Sequence, residues 1–227
     1  MRLPRRLVGF ALWVLVALAG MLLAAAGIAV AQISPAPHPG APAARADAHA
    51  DVIAQVERYL DGIRSLEARF VQINPNGDVV SGTLYLQRPG RMRVEYDPPS
   101  KVLLIATDWR LIFFDGSIRQ VNTIPLAQTP LAFLLADRIQ LAGEVQVTAV
   151  REGPDSLDVE VVRASEANQG RLTLHFATQP FALRSWTVID AQGLETRVVL
   201  SEMRLNPTLD LALFHWRDPQ IFGRPED

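Results

Sequence analysis

Apolar and polar positions alternate most sharply between Gly82 and Tyr96, GTLYLQRPGRMRVEY, which reads as two strands around a turn. Leu84 and Leu86 share a face with Arg88, and across the turn Met92, Val94 and Tyr96 share theirs. Tyr85, Gln87, Arg91, Arg93 and Glu95 take the other side. A two-residue Pro89-Gly90 turn would set Leu86 against Arg93 and Leu84 against Glu95, mixing leucines with charges. The apolar stripes meet only across an odd loop or a bulge, and the expected register places Leu86 opposite Val94 and Leu84 opposite Tyr96. Pro89-Gly90 suits such a loop, because proline presets one dihedral and glycine tolerates positive φ. Arg88 is then a charge at the rim of an apolar surface, where it needs a partner.

Upstream, Val52, Val56, Tyr59, Leu60 and Ile63 recur at spacings of three and four, which predicts an amphipathic helix over Asp51 to Ile63 that ends near Gly62. SLEARFVQI then puts Leu66, Ala68, Phe70 and Gln72 on one face of a strand, and Asn74 to Gly77 turn the chain. KVLLIA (101–106) and RLIFFD (110–115) are nearly continuous apolar runs and read as buried strands. Thr129-Pro130 opens a short helix, an N-cap hydroxyl before a proline, carrying Leu131, Phe133, Leu134 and Leu135 on more than one side. Such a helix must be covered twice or must itself cover something. Five further strands follow between Glu144 and Leu205, separated by Gly-, Pro- and Asp-rich turns. About eleven short strands with few helices predict a mainly β domain: an incomplete, half-open antiparallel barrel with two or three helices over an apolar hollow.

The N-terminus changes where this domain is expected to work. Arg2, Arg5 and Arg6 precede an apolar run from Leu7 to Val30 that ends in Ala29-Val30-Ala31. Residues 1–31 read as a cleaved export signal, with an uncleaved anchor as the alternative because the run is long enough to span a bilayer. Residues 32–50, rich in Ala and Pro, read as a flexible leader, and 51–227 as a single domain. Cleavage removes those three arginines from the 22 basic residues, leaving 19 against 24 acidic ones. A mildly acidic chain is a poor nucleic-acid binder. Without cysteine there is no disulfide, no thiolate metal site and no lipid-modified cysteine behind the signal.

Reactive chemistry is sparse. His38, His49, His175 and His215 are scattered without metal-ligand spacing, His175 reads as a solvated or satisfied histidine on a strand, and no nucleophile elbow or phosphate loop occurs. Apolar surface is the dominant feature, either solid core or a ligand hollow.

The order of these motifs, Phe70-Val71-Gln72, the Gly82 to Tyr96 block, LLIATDWRLIFFD, Gln120-Val121, Thr129-Pro130-Leu131 with Leu134-Leu135, and Phe214-His215-Trp216, resembles the periplasmic outer-membrane lipoprotein carriers of the LolA family. The resemblance spans Val52 to Pro219. It implies a periplasmic, cofactor-free carrier, a monomer and not an enzyme. Such a carrier takes triacylated lipoproteins from an inner-membrane lipoprotein-releasing ABC transporter to an outer-membrane receptor lipoprotein, where one exists. It further implies that Arg88 is the lid latch, bonded to the Thr129 to Asp137 region when the carrier is empty. The expected acyl cavity is Phe70, Leu84, Leu86, Met92, Val94, Leu104, Phe113, Leu131, Leu134 and Leu135. Met92 and Val94 depart from the bulky aromatics common at that edge. The competing expectations are a lipid or lipoprotein sensor of the same fold, a carrier of free lipids, and an exported hydrolase.

Overall fold

The computed structural model describes residues 42–129, 131–143, 145–165 and 170–217. The segment read as an export signal and the last ten residues lie outside the described part. Among the described residues two helices, α1 (Pro42–Asp61) and α2 (Leu131–Leu134), accompany eleven strands. In chain order these are β1 (Ser65–Ile73), β2 (Val79–Gln87), β3 (Arg91–Tyr96), β4 (Val102–Thr107), β5 (Arg110–Asp115), β6 (Gln120–Pro125), β7 (Val145–Glu152), β8 (Ser156–Arg163), β9 (Gly170–Thr178), β10 (Phe181–Asp190) and β11 (Glu195–Leu205).

All eleven strands form one antiparallel sheet in the order β6-β5-β4-β3-β2-β1-β11-β10-β9-β8-β7. Two meanders, β1 to β6 and β7 to β11, are joined by pairing β1 with β11. The connection between the meanders carries α2, so the one long link in the topology is also the piece that crosses the hollow.

The β2–β3 loop is odd, as the hydrophobic parity requires, but it is Arg88-Pro89-Gly90 alone. Leu86 therefore pairs with Met92 and Leu84 with Val94, while Tyr96 lies opposite Gly82. The expected register is two residues out because it assumed a longer loop. Tyr96 thus faces a glycine, and its ring packs edge-on against Phe70 of β1 with centroids 5.3 Å apart.

The apolar runs of β4 and β5 are buried on both faces. Leu104, Ala106, Leu111 and Phe113 point into the main core, while Ile105 and Ile112 are buried outside it. The C-terminal segment supplies the outer cover. Its turn Leu211–Phe214 lies against β3 and β4, Phe214 is buried, the Arg93 Nη1 donates to the Leu213 carbonyl at 3.0 Å, and Trp216 packs on Phe114. A second, smaller core on the convex side explains why these strands lack alternation.

Helix α1 begins at Pro42, within the segment read as leader, because Ala-rich sequence behind an N-terminal proline is a good helix former whatever its amphipathicity. Its last turns carry the predicted stripe: Val56 and Leu60 are buried, and Val52, Ile53 and Tyr59 pack on the core.

Candidate functional site

An apolar cavity of about 140 Å³ runs beneath α1 and α2 along the concave face. Its walls are Leu66, Phe70 and Gln72 from β1, Leu84 and Leu86 from β2, Met92, Val94 and Tyr96 from β3, and Leu172, Leu174, Leu183, Trp186, Val188, Thr196, Val198 and Leu200 from β9 to β11. Leu60, Ile63, Leu134 and Leu135 roof it. Leu66 to Gln72 is six residue steps, or roughly 20 Å along the trough.

Of the residues expected here, Phe70, Leu84, Leu86, Met92, Val94, Leu134, Leu135 and Arg88 line this cavity. Leu104 and Phe113 pair with each other in the core but do not reach the cavity, because β4 and β5 are packed solid. Nothing is described of the Leu131 side chain. The contribution of β9 to β11 was not anticipated. A bulge between Leu183 and Ser185 shifts the parity of β10, so that Leu183, Trp186 and Val188 share the cavity although they break strict alternation.

Arg88 is the buried charge of this site, with a side chain only 3% exposed. Its Nε donates to the Leu134 carbonyl at 2.9 Å, and Gly90 N–H of the same turn donates to the Leu135 carbonyl at 2.8 Å. These are the carbonyls that a helix ending at Leu134 leaves without intrahelical partners. The β2–β3 turn thus caps α2, which is why the helix stops after four residues rather than continuing toward Asp137. Asp137 is not the partner of Arg88; it pairs with Arg64 at 2.6 Å. Burial pulls the Arg88 pKa down to about 10, against the pull of Asp61, whose Oδ1 stands 3.9 Å from Nη1.

The segment after α2 is tied separately to α1. Asp61 Oδ1 accepts from Ile139 N–H at 2.6 Å and Glu57 Oε1 from Leu141 N–H at 2.7 Å, one helical turn apart. The Thr129 hydroxyl donates backward to Leu126 O at 2.8 Å. Pro130 lies outside the described residues. A wider cleft of about 380 Å³ adjoins on the far side of Phe133 and shares Leu172 with the inner cavity.

His175 bridges Asp158 (Nδ1 to Oδ1, 2.8 Å) and Thr187 (Nε2 to Oγ1, 2.9 Å). The connectivity is that of a hydrolytic triad, but none of the three lines either cavity. Thr187 also sits in mid-strand between two paired neighbours, whose ladders engage the amides an oxyanion would need. Among the described residues no cluster of His, Asp and Glu could hold a metal ion.

Fold and site together define an open antiparallel barrel with a lidded apolar cavity. The chain matches the family described as "Outer membrane lipoprotein carrier protein LolA" over residues 61–217. It is 29% identical over 184 residues to an outer-membrane lipoprotein carrier protein of Pseudomonas aeruginosa, covering 76% of this chain and 88% of that one. A protein of the same description from Methylococcus capsulatus is 27% identical over 175 residues, covering 73% and 83%. Among solved structures, a LolA superfamily protein from Nitrosomonas europaea aligns with a TM-score of 0.43 at 14% identity, over 72% of this chain and 97% of that one. The chain belongs to the LolA family.

Proposed function

We propose that the protein is a periplasmic carrier that binds the acyl chains of lipoproteins leaving the inner membrane and releases them at the outer membrane. The observation that carries this reading is the roof: an apolar cavity covered by leucines whose short helix is pinned at its end by hydrogen bonds from Arg88 and Gly90. Three acyl chains carry roughly forty methylenes, and their full exposure would cost on the order of 30 kcal/mol at about 0.8 kcal/mol per CH₂. The cavity of about 140 Å³ lies below the usual range for ligand sites, roughly 300 to 1,000 Å³. Loading therefore requires Leu134 and Leu135 to swing out and surrender their volume, so cargo and latch compete for one space.

In this reading Phe70, Leu84, Leu86, Met92 and Val94 are the acyl-contacting wall and Arg88 is the latch. The protein acts as a monomer without enzymatic chemistry, between a lipoprotein-releasing ABC transporter and an outer-membrane acceptor. Its relatives' description as lipoprotein carriers supports the cargo class. The test is retention of a triacylated lipoprotein and of its unlipidated form by the purified protein, read by native mass spectrometry. Retention of the acylated form alone is expected; equal retention of both, or of neither, overturns the reading.

A further inference from the structure

The tip of the β4–β5 hairpin is a two-residue turn, Asp108-Trp109, with φ of +48° and +59°. Turns of this type favour Asn-Gly or Asp-Gly, because a side chain in the left-handed region is strained. A tryptophan here, 69% exposed, forgoes both the relaxed backbone that glycine would give and the burial that an indole ordinarily finds.

Its position adds meaning. The Trp109 carbonyl accepts from Leu126 N–H at 2.8 Å, at the root of the segment leading to α2. Its ring edge lies 3.9 Å from where a Cβ on Gly90 would stand, and Gly90 holds Leu135. Arg110 follows Trp109 and pairs with Asp108, Arg91 follows Gly90, Arg64 pairs with Asp137 beside Arg138, and the buried Arg88 faces Asp61. These five arginines against three aspartates leave an excess of two positive charges in a chain whose net charge is −2.

We propose that Trp109 and the surrounding arginines form a docking tip for an anionic phospholipid surface, with the indole seated among the headgroups beside the lid. An exposed indole flanked by arginines suits that boundary, where one side is apolar and the other wet. The proposal rests on the carrier reading, since it gives the lid end of the cavity the bilayer as its neighbour.

The experiment uses the purified protein and protein-free vesicles of phosphatidylethanolamine with phosphatidylglycerol. Expected are co-sedimentation that weakens with salt and a blue shift of tryptophan emission. Trp109→Gly should lower vesicle affinity about tenfold and abolish the shift, while Trp109→Phe keeps part of the affinity. Glycine fits the positive φ, so thermal stability of the variant should hold or rise, which separates docking from folding. Absence of wild-type binding, or unchanged binding by Trp109→Gly, overturns the proposal. Binding confined to native membranes and lost after protease treatment would assign the tip to a protein partner and overturn it equally. Retention of acylated lipoprotein, measured on the same samples, reports independently on the carrier reading.

Discussion

Arg88 Nε and the Leu134 carbonyl, 2.9 Å apart, join the tip of the β2–β3 hairpin to the end of the helix that roofs the cavity. The bond is made by a charge under strain. Nη1 of the same guanidinium is buried without a hydrogen bond, and the fall in pKa to about 10 corresponds to roughly 3 kcal/mol of unfavourable charge burial. Because the folded-state pKa is depressed in a base, this cost is present throughout the physiological range and is relieved only as pH rises above about 10. If the roof opens as proposed, the guanidinium would recover part of this cost in hydration.

Arg88→Leu should therefore keep the fold, with an unfolding free energy within about 2 kcal/mol of wild type. It replaces a costly buried cation by an apolar group, though it leaves the Leu134 carbonyl without its donor. The variant is expected to retain acylated cargo but not to pass it on. Urea unfolding and a transfer assay to an acceptor membrane check both parts, and unchanged transfer would refute the latch.

Asp61→Ala strips Ile139 N–H of its acceptor and Arg88 of its nearest carboxylate. Leaving such an amide unsatisfied costs about 1 to 3 kcal/mol. Amide exchange should accelerate at Ile139 and at Gly90, whose N–H reports the closed lid, while strand amides of β9 and β10 keep their protection. Glu57→Gln keeps an acceptor oxygen for Leu141 N–H and should change exchange much less.

The strands and the roofing leucines were legible because period-two alternation and a helix with apolar residues on several sides are local signals. Arg88 was legible as a misplaced charge, and only the family resemblance pointed to a region for its partner, since Leu134 contributes a main-chain oxygen that no side-chain pattern encodes. The β9 to β11 wall was hidden by the bulge at Leu183/Ser185, which breaks the parity used to sort faces. Leu104 and Phe113 looked like cavity residues because sequence cannot distinguish a filled concave face from a hollow one. Nor does any pattern disclose that the Leu211–Phe214 turn returns against β3 and β4.

Acid should weaken the convex side first at Asp97. Hydrogen bonds from Arg69 and then Ser81 hold its carboxyl down to about 2, with Arg69 engaging both oxygens. A depressed carboxylate pKa contributes stability above its unfolded value near 3.8 that is lost as pH falls toward 2. The pair is partly solvated, so its worth is modest. Asp97→Asn should lower the melting temperature at neutral pH and flatten its dependence between those two pH values; an unaltered slope would show that other carboxylates govern the acid limb.

Gly82 tests whether the cavity wall depends on a missing side chain. A Cβ there would stand 2.1 Å from the Glu95 carbonyl and 2.7 Å from the Phe70 ring, and the first of these is backbone that cannot rotate away. Gly82→Ala must push β3 from β2 or drive Phe70 off Tyr96, and overpacking of this kind costs about 3 kcal/mol. Gly77→Ala is the control, since nothing lies within 4 Å of its Cβ position and only the positive φ of +85° is penalised, at about 1 kcal/mol. Denaturant midpoints should fall in that order. Because Phe70 and Tyr96 both line the cavity, Gly82→Ala should also weaken retention of acylated cargo while Gly77→Ala leaves it intact. Equal loss of stability in the two variants would mean that backbone conformation, not the contact beneath Phe70, is what the glycine supplies.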